Sequence, residues 1–425
     1  MKQPPLITPR EVDVPRAQRH TLPNGASLYA IPSDDFEVLR FTFVFRAGSS
    51  MQHAPFAASA TANMLSEGSR DMTARQIAER LDFHGSYFEV NVDRDYVYIS
   101  FSSLSKFFGP TLEVAEQILL QPLFPEDELR AYCEKRKQTL TIERPKVDTV
   151  VREIFAETHF DDKHPYGISY PEKDYDTLTR ADLESLYRRL YTAENCLVVC
   201  SGRIGEEELQ GIGALAEKLP RADRSATADF PAPRSEAYRF VERPDAVQSS
   251  LRVGRLLFTR THPDFVGMQV VATVLGGYFG SRLMQNLRGE HGYTYGVGAA
   301  MVNFEREGYL GIAAQVGAEV TAPALREIYN EIERLRREPM PEEELSLVKN
   351  IMTGEVMRIL DGPFGIADVT IENLLCGTNN GVIEENIRRI QAITPAEVQR
   401  LAVKYLRRED LITAVVGAVD PFTKL

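Results

Sequence analysis

Arg288 and Tyr295 of this 425-residue sequence carry a guanidinium and a phenol within one glycine-punctuated stretch. They lie seven positions apart in Gly280–Ala300, which reads Gly-Ser-Arg-Leu-Met-Gln-Asn-Leu-Arg-Gly-Glu-His-Gly-Tyr-Thr-Tyr-Gly-Val-Gly-Ala-Ala. A guanidinium and a phenol are both hydrogen-bond donors, and together they suit main-chain carbonyl oxygens. The spacing predicts a helix, a tight turn and a strand. Ser281 can cap the helix, and Leu283, Met284 and Leu287 recur at helical spacing. Gly289 and Gly292 flank the turn, where positive φ is easy only for glycine. Tyr293, Tyr295, Val297 and Ala299 then share one face of an extended segment, with Arg288 at the helix end and Tyr295 in the strand. The ordinary roles of such residues are duller. A helix-end arginine serves the dipole or an acid such as Glu290, and a strand tyrosine packs.

Other residues offer weaker chemistry. Of seven histidines only His159 and His164 are close, and a spacing of five with proline directly after fits neither one helix face nor a compact chelate. They read as a solvated helix-end turn. Gly276-Gly277-Tyr278-Phe279-Gly280 follows an apolar helix-like run rather than a strand and lacks a following Gly-Lys-Ser or Gly-Lys-Thr, so its glycines serve close backbone packing, not phosphate. Cys133, Cys196, Cys200 and Cys376 form no Cys-Xaa-Xaa-Cys pair and read as buried, reduced thiols of a cytoplasmic protein.

Composition narrows the class. With 43% hydrophobic and 26% charged residues the chain is an ordinary globular protein, long enough for two domains. A net charge of −12 argues against nucleic acid as the main partner. No stretch approaches the roughly 20 apolar residues of a membrane helix, and the start, MKQPPLITPREV, has no apolar run of the signal-peptide kind.

In chain order, Ala26–Ile31 and Phe41–Arg46 read as strands, 55–67 and Thr73–Phe83 as helices with Thr73 the N-cap and Gly85 the break, and Asp95–Phe101 as an alternating strand. Helices follow near Phe108–Leu120 and from Pro125 to Lys137 or beyond. The second half repeats this order. Phe124–Leu129 matches Met340–Leu345 at an offset of 216, while Leu178–Leu183 matches Ile393–Val398 and Leu197–Gly202 matches Ile412–Gly417 at 215. A near-constant offset over separated segments implies two copies of one α+β unit: a first domain over 1–220, a polar, proline-bearing linker over 221–237, and a second domain over 238–425. Strands interrupted by helix pairs favour mainly antiparallel sheets with helices on one face, leaving the opposite faces free to form a cleft.

Over most of its length the chain resembles the insulinase, pitrilysin and mitochondrial processing peptidase family of zinc peptidases. The resemblance rests on LPNGASLYAIPSDD, FRAGSS, MLSEGS, HGSYFEVNVDRDYVYISF, the HPYG of His164–Gly167, RRLYTAENCLVVCSG and SRLMQNLRGEHGYTYGV. It implies that Arg288 and Tyr295 bind substrate. Active members carry His-Xaa-Xaa-Glu-His immediately before the MLSEGS-like stretch, two zinc-binding imidazoles and a general base. Here Ser59 and Asn63 stand in the histidine positions and Ala62 in the glutamate position, and Glu143, near the place of the usual third ligand, has nothing to complete. The resemblance therefore implies a non-catalytic, substrate-binding subunit, without metal or cofactor of its own, paired in a heterodimer or larger assembly with a zinc-bearing paralogue that acts on peptides. The rival readings are a structural scaffold subunit and a peptide-binding homodimer.

Overall fold

The computed structural model describes residues 12–222 and 230–424. Residues 223–229 of the expected linker lie outside the described residues. Among the described residues eleven strands form two sheets. The first holds β1 (Gln18–Thr21), β2 (Ser27–Pro32), β3 (Val38–Phe45), β4 (Tyr87–Val92), β5 (Val97–Leu104) and β6 (Cys196–Gly202) in the order β1-β2-β6-β3-β5-β4. The second holds β7 (Tyr238–Glu242), β8 (Gln248–Leu257), β9 (Val297–Asn303), β10 (Gly308–Gly317) and β11 (Ile412–Gly417) in the order β7-β11-β8-β10-β9. Without β1, the two orders are the same. The directions match as well: β2–β6 and β7–β11 are parallel and every other pairing is antiparallel. The architecture is α+β, with helices against two mainly antiparallel sheets.

Alternation in β3 shows why the sheet has an inside. Leu39, Phe41, Phe43 and Phe45 are wholly buried on the helix side, where Phe41 stacks on Phe101 at 5.2 Å. On the other side Thr42 hydrogen-bonds Ser100 across the ladder at 2.9 Å. The first helices form where the sequence signals them. Thr73 caps Ala74–His84 with a full capping box through Gln76, and Gly85 ends it at φ +60°.

Each half also lends a helix to the other, which the sequence pattern did not foretell. Helix Val147–Phe160 lies on β8 and β11 of the second sheet, burying Val150, Val151, Ile154 and Phe155 against Ala414 and Val416. Helix Pro363–Leu375 lies on β2 and β6 of the first sheet, burying Ile366, Ala367 and Ile371 against Ile31, Val44 and Val199. Each large side chain buried in this way contributes roughly 1.5–3 kcal/mol. The sheet faces expected to stand free are thus partly covered. Between the halves lies, among others, a cavity of about 450 Å³ whose walls include Asp95, Tyr96, Arg260, Glu305, Glu372 and Cys376.

The exchange corrects one expectation. His159 and His164 are not a solvated turn: each is 1% exposed. The His159 ring packs against Phe155 and Tyr309, its Nδ1 lies 2.8 Å from the Phe155 carbonyl, and burial pushes its pKa down to about 4. His164 Nδ1 accepts the Tyr166 N–H at 3.1 Å. These rings are inter-half packing, which local spacing cannot reveal.

Asp95 pins the same junction. It is 5% exposed and sits in the β4–β5 turn. Its carboxylate accepts the Tyr166 hydroxyl at 2.6 Å and, from the β9–β10 turn of the other half, the Glu305 N–H at 2.7 Å. Gly48 must be glycine here, because a Cβ would stand 2.5 Å from the Asp95 backbone. Among the described residues no helix is long and apolar enough to cross a membrane.

Candidate functional site

Two places carry the residues singled out by the sequence. The first is the segment around Arg288. Its helix exists, but Met284–Glu290 is wound as a π-helix, the second such turn after Thr273–Gly277. π-turns are rare and often mark functional sites. The segment is clamped from beneath. Arg282 makes a bidentate pair with Glu344, both contacts 2.8 Å, and Asn286 donates to Glu327 and Glu331 at 3.1 and 3.0 Å. Gly276 presses on β9, where a Cβ would meet the Ala299 nitrogen at 2.5 Å, so this glycine does serve backbone packing.

Arg288 and Tyr295 come together, though not by the expected route. β9 begins at Val297, so Tyr295 precedes the strand instead of lying within it. The cause is Thr294, whose hydroxyl donates to the Gln315 carbonyl and accepts the Gly296 N–H at 3.1 Å, turning the chain before pairing starts. Tyr293 and Tyr295 therefore do not share a face. Tyr293 packs at the margin of the second core and stacks on His291 at 4.9 Å, while Tyr295 is 88% exposed. Val297 and Ala299 do face the core. Ser281 is fully buried and its hydroxyl caps nothing. Gly292 takes φ +65°, and Gly289 is an ordinary helical residue.

The guanidinium of Arg288 lies over the Tyr295 ring at 4.8 Å and over the Phe279 ring at 4.6 Å. Phe279, which the sequence reading did not single out, is 73% exposed. An aromatic set between glycines with no apolar partner at helical spacing was the available signal. Among the described residues Arg288 has no ion pair, with Glu290 or any other acid. Two aromatic rings attract the guanidinium charge and leave N–H donors available to a ligand. Neither Arg288 nor Tyr295 lines the cavity between the halves.

The second place is the window where the sequence resemblance expects a zinc motif. Ser59, Ala62 and Asn63 lie on helix Ala57–Asn63, which packs against the edge strand β4. Ser59 and Asn63 share a face, but the Ser59 hydroxyl donates to the Phe56 carbonyl at 3.1 Å and the Asn63 amide donates to the Ser59 carbonyl at 2.7 Å. Ala62 is a fully buried methyl. Glu143 ends helix Glu126–Glu143 and pairs with Lys146 at 2.7 Å. The phenols of Tyr132 and Tyr175 face Ser59, with the Arg136 guanidinium against Tyr175. Burial pushes the Tyr132 phenol up to about 12. Phe56, at φ +62° in the left-handed region, stacks flat on Tyr175 at 3.9 Å, which holds the strained entry to the helix in place. Zinc does not fit this donor set. The site offers an amide, a hydroxyl and a methyl, and the nearby charge is a cation. Among the described residues no group of three or more His, Cys, Asp or Glu is placed to hold a metal ion.

Residues 177–352 match the family profile described as the peptidase M16 inactive domain. The chain is 21% identical over 359 residues to the uncharacterized zinc protease YmxG of Bacillus subtilis, covering 84% of this chain and 86% of that one. It is also 21% identical over 426 residues to a probable mitochondrial-processing peptidase subunit beta of Arabidopsis thaliana, covering 96% and 80%. Among solved structures, a peptidase M16 inactive domain from Pseudomonas fluorescens aligns at TM-score 0.86 with 23% identity, covering 95% of this chain and 98% of that one. A protease from Helicobacter pylori aligns at TM-score 0.87 with 16% identity, covering 95% and 100%.

Proposed function

From this chain's homology to the inactive domain of the M16 peptidases, we propose that it is a non-catalytic, substrate-binding subunit working beside a zinc-bearing paralogue on peptides. The observation that carries the reading is Arg288, whose guanidinium lies over the exposed rings of Phe279 and Tyr295 and, among the described residues, pairs with no acid. A guanidinium fixed in this way loses little freedom when it binds, and its donors with the Tyr295 hydroxyl suit the carbonyls of an extended peptide of almost any sequence. The chain's own contribution is then grip and orientation. Zinc, and the water it activates, belong to the partner. The four thiols are free, two of them buried, with Cys200 pushed up to about 12, which suits a cytoplasmic protein. The matching strand orders support two homologous domains, 1–220 and 238–425, joined by 221–237.

The purified chain is expected to hold no stoichiometric zinc and to cleave no peptide alone, since Ser59, Ala62 and Asn63 supply neither imidazole nor base. Elemental analysis with a fluorogenic-peptide assay checks this. One tightly held zinc per chain would refute it.

A further inference from the structure

We propose that the former metal position has become a carboxylate-binding site centred on Arg136, which takes the free C-terminus or an acidic side chain of a bound peptide. The inference deepens the substrate-binding reading and rests on it. Tyr132 and Arg136 are four residues apart on helix Glu126–Glu143 and so share a face. Tyr175 comes from the turn Glu172–Thr177, which packs on that helix. Its ring meets Tyr132 edge-on at 6.5 Å and Phe56 flat at 3.9 Å. Three segments far apart in sequence thus bring a guanidinium, two phenols and the Ser59 hydroxyl to one spot.

Tyr132, Tyr175 and Arg136 are donors without an anion, while the Ser59 hydroxyl is spent on the Phe56 carbonyl. The Tyr132 hydroxyl is buried and makes no well-formed hydrogen bond. The acids beside Arg136 are taken: Asp176 pairs with Lys137 at 2.7 Å, and Glu172 with Arg144 at 2.6 Å. Among the described residues Arg136 pairs with no carboxylate, although it is exposed enough for a ligand to reach. A planar fork of N–H donors beside phenolic O–H groups matches the two oxygens of a carboxylate. Helix Ala57–Asn63 borders the edge strand β4, so the spot lies beside a strand with unpaired backbone groups. The position that in a zinc peptidase polarises a carbonyl here holds a charged peptide group.

The test uses fluorescence anisotropy with labelled nonapeptide pools of randomised neutral sequence in three forms: free acid, C-terminal amide, and amide with one glutamate. The full chain is expected to bind a carboxylate-bearing pool about tenfold tighter than the neutral amide pool, as a charge-assisted bond allows. If only the free acid gains, the site takes the terminus; if only the glutamate pool gains, it takes the side chain. Arg136→Gln should abolish the difference while leaving neutral-amide binding unchanged, and Tyr132→Phe should narrow it. Arg288→Ala should weaken all three pools alike. Equal binding of the three pools by the wild-type chain overturns the inference. So does discrimination that survives Arg136→Gln, or an Arg136→Gln loss common to all pools; each leaves the Arg288 reading standing. Binding of no pool overturns both.

Discussion

In a complex reconstituted with a zinc-bearing paralogue, Arg288→Ala lowers kcat/KM for a fluorogenic peptide roughly ten- to a hundredfold, because a charge-assisted hydrogen bond is worth about 1.5–3 kcal/mol. The guanidinium lies over the Phe279 and Tyr295 rings and, among the described residues, answers no acid, so its loss removes binding to substrate and little else. Tyr295→Phe deletes one hydroxyl but keeps the ring beneath Arg288, and costs about 1 kcal/mol. Phe279→Ala removes one of the two rings and should fall between them. Stability barely changes in these variants, since Phe279 and Tyr295 are mostly exposed and Arg288 closes no core cavity. Unchanged kcat/KM in both Arg288→Ala and Tyr295→Phe would leave the pair as surface residues and make a scaffold role the better account.

Asp95→Ala destabilises the chain by about 2–6 kcal/mol, from two donors left without an acceptor at about 1–3 kcal/mol each, a large part of the roughly 5–15 kcal/mol typical of a folded protein. The carboxylate is 5% exposed and accepts from Tyr166, Ser50 and, across the junction, the Glu305 N–H. Truncation strands a buried phenol and a buried backbone donor whose acceptor is gone. Asp95→Asn keeps one acceptor oxygen and should lose less. Tyr166→Phe removes one donor and costs about 1 kcal/mol. Urea unfolding of the three variants provides the measurement. A loss below 1 kcal/mol in Asp95→Ala would show that the two halves do not depend on this contact.

Much of the fold was legible where the signal is local. Thr73 and Gln76 announce a capping box, Gly85 the stop that follows, and FTFVF the alternation of β3, because caps and pleats depend on neighbours in sequence. The duplication was legible because matching segments recur at a near-constant offset, and the strand orders of the two sheets agree with it. The helix exchange was not. Nothing in Val147–Phe160 says whether its apolar face meets the sheet before it or the one after it. The same blindness made His159 look like a solvated residue.

At the site, the sequence placed Arg288 and Tyr295 together but misjudged how. A strand starting near Tyr293 was the natural reading of Tyr-Thr-Tyr-Gly-Val-Gly-Ala. Thr294 instead spends its hydroxyl on Gln315 and Gly296, and Tyr295 is thrown outward onto Arg288. The π-turn under Arg288 adds a residue to the helix, which no 3.6-residue pattern anticipates. Ser59, Ala62 and Asn63, and their lack of imidazole and carboxylate, are plain in the sequence. That Tyr132, Arg136 and Tyr175 gather beside them required the fold, since Tyr175 comes from a different segment.

In the proposed function this chain grips peptide for a zinc-bearing partner. The most direct test of this is kcat/KM of the zinc-bearing paralogue on a fluorogenic peptide, measured as this chain is titrated in, with each protein also assayed alone. The account predicts no cleavage by this chain, little by the paralogue, and a rise that saturates at a fixed stoichiometry and is blunted when Arg288→Ala replaces the wild-type chain. Full activity of the paralogue alone, unaffected by any amount of this chain, would contradict it.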